Sequence, residues 1–279
     1  MATTYKNFLN NDTTTTKTLL HEAIPITGSI VSGTYSENNI KNYSHGMFSS
    51  VYDYPYLSSS ANHIFDITCG YSSNSALSAS TNIQNAKKIN IYNQMAQVLV
   101  GYNESGSIRE FDEDGNFAEG GTTLQECYFF NFARLLQKDE IKKGSFELEL
   151  GVKNSNSDKV DFAGGNFLHR IKVKDYNAQN DYKVNYPAGE YGILYATASF
   201  DDGTSLTTND NVLDADTLQA SAYPGYVPCG LLYYQAGVAV LSSSVFLDND
   251  SATRAVDGGK GILKTGNGTP RLNSSSDTR

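Results

Sequence analysis

The stretch that sets the character of this chain is residues 33–68, GTYSENNIKNYSHGMFSSVYDYPYLSSSANHIFDIT. It carries five tyrosines, two phenylalanines and two of the four histidines of the 279-residue chain. It shows no long helical repeat, and an aromatic, loop-like segment of this length is unusual inside a compact domain. Such segments are usually functional or are ordered by contact with another surface. We therefore expect this stretch to be the place where the chain meets something else.

The stretch ends in a predicted strand, and further strand patterns recur along the chain. Apolar and polar side chains alternate with period two in HIFDITCGY (63–71), SFELELGV (145–152) and FLHRIKVKDY (167–176), which is the pattern of half-buried strands. Residues 227–246 form an apolar run that is interrupted by turn residues, as in a hairpin. Asp-Gly at 114–115 predicts another tight turn.

Two of these predicted strands carry opposite charges on their outer faces. Glu147 and Glu149 make one face acidic, while basic side chains alternate along residues 167–176. Opposite charges attract across an antiparallel strand pair. The sequence therefore predicts that these two strands are neighbours.

One segment has a clear helical period. Between residues 85 and 102 the apolar positions fall at helical spacing, and they are Ile91, Met95, Val98, Leu99 and Tyr102. Residues 133–144, ARLLQKDEIKKG, predict a second, shorter helix that ends at Gly144. The predicted fold class is mainly β, a β-sandwich or barrel-like arrangement of antiparallel hairpins with one or two packed helices.

Composition suggests a division into a domain and two arms. Residues 1–18 and 248–279 are polar and contain too little apolar surface to fold alone, so they are predicted to be a flexible N-terminal arm and a flexible C-terminal tail. Residues 19–247 are predicted to form the structural domain, and a subdivision near 201–222 is possible. Residues 19–34 within it predict one or two short strands.

Charge and composition exclude some function classes. The net charge of −9 argues against a nucleic-acid-binding face, which needs clustered Lys and Arg. No apolar run approaches the roughly 20 residues of a membrane helix, and the N-terminus lacks the apolar core of a secretory signal. We expect a soluble protein made in a cytoplasm. Nineteen tyrosines, thirteen phenylalanines and no tryptophan favour extended strands and hydrogen-bonded protein surfaces.

The candidate chemical groups do not form a recognisable site. No histidine has metal-ligand spacing, and the three cysteines (Cys69, Cys127 and Cys229) are far apart and predicted to be free, buried thiols. The acidic cluster at residues 110–114 fails the calcium-loop pattern, because Phe117 stands where glycine is needed. No phosphate loop or nucleophile elbow is present. The sequence thus predicts no catalytic residue, no cofactor and no metal site.

The remaining signal is for protein contact. Tyrosine provides large, fairly rigid contact area, and it is enriched at interfaces. The predicted subunit contacts are Tyr35, Tyr43, Tyr52, Tyr54 and Tyr56. Polar arms that cannot fold alone would gain order by lying across neighbouring subunits.

A family resemblance agrees with this interpretation. It is carried by LLHEAIPITGSIVSGTY (19–35), NIKNYSHGMFSSVYDYPYLSSSANHIFDITCGYS (39–72), KKINIYNQMAQVLVGY (87–102) and LLQKDEIKKGSFELELG (135–151). These segments resemble virion structural proteins of large contractile-tailed marine bacteriophages, nearest those that infect cyanobacteria. The resemblance covers residues 19–151 best, and GLLYYQAGVAVL (230–241) more loosely.

The resemblance implies a non-enzymatic structural protein of the virion, present in many symmetric copies. The expected position is the tail or baseplate, with the neck or head surface as the alternative. The expected partners are other phage structural proteins and copies of the chain itself in a symmetric ring, with no nucleic acid and no membrane. A different class, a receptor- or glycan-binding tail-fibre module, remains open because tyrosine-rich loops also bind sugars.

Overall fold

The computed structural model describes residues 39–78, 84–117, 123–132, 140–152, 169–185, 187–200, 223 and 226–246. Within them, the strands are β1 (Ile40–Asn42), β2 (Ser49–Tyr52), β3 (His63–Tyr71), β4 (Phe111–Asp112), β5 (Thr123–Leu124), β6 (Glu126–Asn131), β7 (Glu147–Val152), β8 (His169–Lys174), β9 (Tyr182–Asn185), β10 (Gly189–Phe200), β11 (Val227–Tyr233) and β12 (Val238–Ser242). The α-helix of this part of the chain is α1 (Asn85–Leu99).

Ten strands form one antiparallel sheet. Its order is β1–β2–β3–β6–β12–β11–β10–β8–β7, and β9 pairs with the first part of β10. Every neighbouring pair is antiparallel. β4 and β5 form a separate two-stranded ribbon. The prediction of a mainly β fold built from antiparallel strands is therefore confirmed.

The central strands of the sheet are buried on both faces. Along β11, Leu231 and Tyr233 belong to one hydrophobic core, while Leu232 and the following Tyr234 belong to the other. Successive side chains of a strand point to opposite faces, so an unbroken apolar run is what a doubly covered strand requires. This explains why residues 227–246 lack the apolar–polar alternation of the outer strands.

Aromatic contacts show that the sheet is curled. The rings of Phe132, which follows β6, and Phe146, which precedes β7, have centroids 5.6 Å apart. In the sheet order β6 and β7 are five places apart, which would be about 24 Å in a flat sheet with strands about 4.8 Å apart. Phe65 on β3 also contacts Phe132, with centroids 5.4 Å apart. One hydrophobic core therefore lies inside the curl.

A buried carboxylate fixes the chain at the same place. Asp175, which is 1% exposed, accepts hydrogen bonds from the backbone N–H groups of Gly144 (2.6 Å) and Phe146 (3.0 Å). It also accepts one from the Tyr234 hydroxyl at 3.3 Å. Burial raises the pKa of Asp175, although these hydrogen bonds partly oppose the rise. The segment that leads into β7 is thus tied to the end of β8 and to the β11–β12 turn.

The predicted pairing of the charged strands is confirmed. β7 and β8 are antiparallel neighbours, and Lys174 Nζ lies 2.9 Å from Glu147 Oε2. Lys172 Nζ lies 3.5 Å from Glu147 and 3.7 Å from Glu149. On the opposite face Ile171 and Val173 are fully buried, as the alternation predicted.

The helix covers the second core, on the outer face of the sheet. Its buried residues are Ile91, Tyr92, Ala96 and Leu99. The predicted stripe was wrong at two positions, because Val98 is 64% exposed and Tyr102 is 50% exposed. At 100° per residue, the buried face is centred near Tyr92 and Leu99. Val98 then lies roughly 110° from it, close to a third of a turn.

Other sequence predictions lie outside the described residues. They are the arm (1–18), the strands expected in 19–34, the possible subdivision at 201–222 and the tail (248–279). The second predicted helix falls largely on residues 133–139, which are also outside. Its end, residues 140–144, is described and is not helical. Gly144 has φ +77° there, a conformation that turns the chain into β7.

A glycine sets the distance between α1 and the sheet. A Cβ added to Gly70 of β3 would lie 2.8 Å from both the Lys88 carbonyl oxygen and the Tyr92 backbone nitrogen. Both atoms belong to the helix backbone, which moves only if the whole helix shifts. We therefore predict that Gly70→Ala lowers the free energy of unfolding by about 1–3 kcal/mol, measured by urea denaturation.

Gly106→Ala is the control for this substitution. An added methyl there meets no atom within 4 Å, but φ is +80°, so we expect only the backbone cost of about 1 kcal/mol. Equal stability of Gly70→Ala and the wild type would contradict the close approach of helix and strand.

Candidate contact surface

Among the described strands, the aromatic stretch forms one edge of the sheet. β1 and β2 are its last two strands, and β1 pairs on one side with β2. A turn at 43–48 connects β1 to β2, and a loop at 53–62 connects β2 to β3. We call residues 39–62 the edge hairpin. Its aromatic side chains fall into one cluster at the turn and another at the loop.

The turn cluster is held by ring stacking. The Tyr43 ring stacks on His45, with centroids 5.2 Å apart and planes 8° from parallel, and packs against Phe48 at 5.0 Å. The backbone N–H of Gly46 donates to the Tyr43 carbonyl at 3.0 Å, and Gly46 has φ +64°. Lys41 Nζ lies 5.1 Å from the Tyr43 ring centroid, within the range of a cation–π contact.

The loop at 53–62 is closed by one carboxylate. Asp53 Oδ1 accepts hydrogen bonds from the backbone N–H groups of Tyr54 (2.8 Å) and Asn62 (2.6 Å), and Oδ2 accepts one from the Asn62 side chain at 2.8 Å. Burial would raise the pKa of Asp53, but the hydrogen bonds from Asn62 and Tyr54 outweigh it, and the pKa is lowered. The loop is therefore pinned at its base.

The pinned loop presents apolar side chains to solvent. Tyr54 is 52% exposed and Leu57 is 83% exposed. Ile40 of β1, which is 45% exposed, lies in the strand paired with the one that enters this loop, because the backbone N–H of Tyr52 donates to the Asn39 carbonyl. We call Ile40, Tyr54 and Leu57 the exposed corner. Exposed apolar side chains on a loop that hydrogen bonds hold closed suit a contact surface.

Two of the predicted contact tyrosines also pack within the hairpin. Tyr52 and Tyr56 are half-buried, and their ring centroids lie 6.2 Å apart. Tyr52 also packs edge-on against His63, at 5.5 Å. Their position favours a role in supporting the loop that carries Tyr54.

A polar chain ties the turn cluster to β3. The hydroxyls of Tyr43 and Ser50 are 3.3 Å apart, the Ser50 hydroxyl donates to Asp66 Oδ1 at 2.5 Å, and His63 Nε2 lies 2.8 Å from the same oxygen. A hydrolytic triad needs histidine between serine and carboxylate so that it can accept the serine proton. Here the carboxylate lies between them and Ser50 is fully buried, so this arrangement positions strands.

The predicted tyrosines thus have different environments. Tyr54 is exposed, while Tyr43, Tyr52 and Tyr56 are half-buried, and Tyr35 lies outside the described residues. Sequence reasoning missed Ile40 and Leu57. The signal for Leu57 was available, since a leucine between tyrosine and a run of serines has no apolar neighbours with which to form a core.

The thiols have two different environments. Cys127 and Cys229 are buried, as predicted, and burial raises the pKa of both well above the ordinary value. Cys69 is half-buried, so the prediction of burial was wrong for it. The reason is that β2 ends its pairing with β3 at Ile67, which leaves Cys69 beside a groove.

Two aspartates of the acidic cluster, Asp112 and Asp114, interact with each other. Asp112 of β4 is 5% exposed, and its Oδ1 accepts the backbone N–H of Asp114 at 3.0 Å. Burial and a hydrogen bond to the Asp114 carboxyl raise the pKa of Asp112 to about 7, whereas that bond lowers the pKa of Asp114. Among the described residues, no group of three or more His, Cys, Asp or Glu side chains could hold a metal ion.

This pair predicts a pH dependence of stability. Folding raises the pKa of Asp112, so Asp112 contributes most to the free energy of unfolding below about pH 4. This contribution is lost as the pH rises through about 7. In Asp112→Asn an amide replaces the protonated acid and cannot ionise. We predict that the wild type loses stability relative to this variant, on the order of 1 kcal/mol per pH unit between about pH 5 and 7.

Urea denaturation across that pH range measures the difference, and Glu104→Gln, an exposed acid in the turn after α1, is the control. Parallel pH profiles of the wild type and Asp112→Asn would show that Asp112 is ionised throughout, contrary to the prediction.

No protein-family model, curated protein sequence or solved structure matches this chain. Within the part of the chain that the structure describes, no helix is long and apolar enough to cross a membrane.

Proposed function

We propose that the chain is a non-enzymatic structural subunit of a bacteriophage particle, in the tail or baseplate, and that it contacts neighbouring subunits through the exposed corner. The observation that carries the proposal is the exposure of Tyr54 and Leu57 on a loop that Asp53 and Asn62 hold closed. The resemblance of residues 19–151 to virion structural proteins supports the same role. The neck or head surface is the alternative position.

The closure of the loop by hydrogen bonds favours such a contact. Association costs free energy when side chains and loops must be ordered at the interface, so a loop already ordered in the free subunit binds at lower cost. Tyrosine adds a large contact area with few rotatable bonds. In a symmetric ring each subunit repeats the same contact, so a small apolar surface stabilises the ring at every subunit interface.

A receptor- or glycan-binding tail-fibre module is the second candidate. Tyr54 favours it, since an aromatic ring that is 52% exposed beside the polar side chains of Asp53 and Asn62 could stack on a sugar. The two candidates differ in the isolated protein. A fibre module trimerises and binds host cells when expressed alone, whereas an assembly subunit does neither and enters particles as a ring.

The test is a double substitution at the exposed corner. We predict that Tyr54→Ser with Leu57→Ser changes the free energy of unfolding by no more than about 0.5 kcal/mol, because both side chains are at the surface. Incorporation into purified particles, measured by quantitative mass spectrometry, should fall about tenfold or more, as expected when contact residues are truncated.

Val184→Ser is the matched control, because Val184 is 66% exposed on β9, away from the edge hairpin, and it should enter particles normally. Normal incorporation of the double variant would overturn the exposed corner as a contact. Tyr52→Ser with Tyr56→Ser should instead lower stability, by about 1–3 kcal/mol, because those rings pack within the hairpin.

A further inference from the structure

An open groove of about 370 Å³ lies beside the turn cluster. Its walls come from the turn at 43–48, from β3, from β6 and from the first turns of α1. The lining residues used below are Tyr43, Met47, Phe48, Cys69, Lys88 and Tyr128. Lys88 is the lysine of this lining, while Lys41 and Lys87 contact residues of the turn that forms one wall. We call the groove together with these two lysines the basic groove.

The lysines of the basic groove lack carboxylate partners among the described residues. Lys88 Nζ donates to Cys69 Sγ at 3.1 Å, Lys87 Nζ donates to the His45 carbonyl at 3.2 Å, and Lys41 Nζ lies over the Tyr43 ring. Three other lysines pair with glutamates, and these are Lys143, Lys172 and Lys174. Among the described residues, the basic groove thus carries positive charge without a carboxylate partner, on a chain whose net charge is −9.

Lys88 is the residue whose surroundings indicate a ligand. It is half-buried, and its hydrogen-bond acceptor is a thiol, which is a weak acceptor. An ammonium that has lost part of its hydration gains most from a charged oxygen acceptor, since hydrogen bonds between ionised groups are about twice as strong as neutral ones.

The walls of the groove favour a peptide over a nucleic acid. Binding of a single strand needs open aromatic faces on which bases stack, but the Tyr43 ring already stacks on His45 and lies under Lys41. Met47 and Phe48 instead offer adaptable apolar contacts of the kind that accept side chains. Three lysines are also a small electrostatic footprint for a polyanion.

We propose that the basic groove binds a carboxylate-bearing loop of a neighbouring protein subunit, with a Glu or Asp side chain of that loop paired with Lys88. This inference rests on the proposed function, because it supplies a second contact of the same assembly subunit. Lys87 and Lys41, which contact the turn, add attraction, and the aromatic and methionine walls pack against the rest of the loop.

The test uses a fluorescein-labelled polyglutamate peptide and the full chain, with binding followed by fluorescence anisotropy at low salt. Wild type is expected to bind, and Lys87→Gln with Lys88→Gln is expected to weaken binding about tenfold or more, since two charge-assisted contacts are lost. Lys172→Gln, on the far side of the sheet, is the control and should bind as the wild type does. Carbodiimide coupling of the peptide should map to Lys87 or Lys88 by mass spectrometry.

Three competitors separate the possible ligands. Unlabelled polyglutamate should displace the labelled peptide, while succinate at equal carboxylate concentration and an oligothymidylate should not. Displacement by succinate would assign the groove to small carboxylates, and displacement by the oligonucleotide would assign it to nucleic acid; either overturns the proposal. Lys88→Arg keeps the charge and should retain binding, which separates loss of charge from loss of folding.

Unchanged binding by the double lysine variant would also overturn the inference. The proposed function would still stand if the variant with Tyr54→Ser and Leu57→Ser is excluded from particles. Unchanged peptide binding together with normal incorporation of that variant would contradict the assembly role.

Discussion

The contact between Phe132 and Phe146 is the constraint on which the rest of the fold depends. It joins the ends of two strands five places apart in the sheet, so the sheet must curl until those ends meet. Phe65 and Phe130 extend the contact across the interior, and Asp175 satisfies the backbone N–H groups of the segment entering β7. Aromatic burial thus supplies the driving force for the curl, and the buried carboxylate fixes its geometry.

The curl also determines what remains at the surface. Its inside is filled by one core, and α1 covers a second core on the outer face, with Gly70 allowing close approach. The strands at the middle of the sheet are therefore covered twice, whereas β1 is an edge. The edge hairpin carries exposed apolar groups, and its turn forms one wall of the basic groove, whose lysines have no carboxylate partner among the described residues. Both features suit contact with other protein chains, which is the role proposed above.

Local patterns allowed much of the fold to be predicted. The alternation in residues 63–71 predicted β3, and that in residues 145–152 predicted β7. The opposite charges of these segments predicted the β7–β8 pair, in which Lys174 contacts Glu147. The strand order and the curl could not be predicted, because they depend on contacts between residues far apart in sequence, such as Phe65 with Phe132. For the same reason the five tyrosines looked equivalent. Only the closure of the loop by Asp53 separates Tyr54, which is exposed, from Tyr52 and Tyr56, which pack inside the hairpin.

Hydrogen–deuterium exchange, followed by mass spectrometry on the isolated chain and on purified particles that contain it, tests the central claim most directly. The account predicts that the amides of β6, β11 and β12 exchange slowly in both samples, because these strands are covered on both faces. It predicts that residues 53–62 exchange faster than those strands in the isolated chain and gain protection in the particle. Equal exchange of residues 53–62 in both samples, with protection gained elsewhere on the sheet, would contradict the edge hairpin as the contact surface.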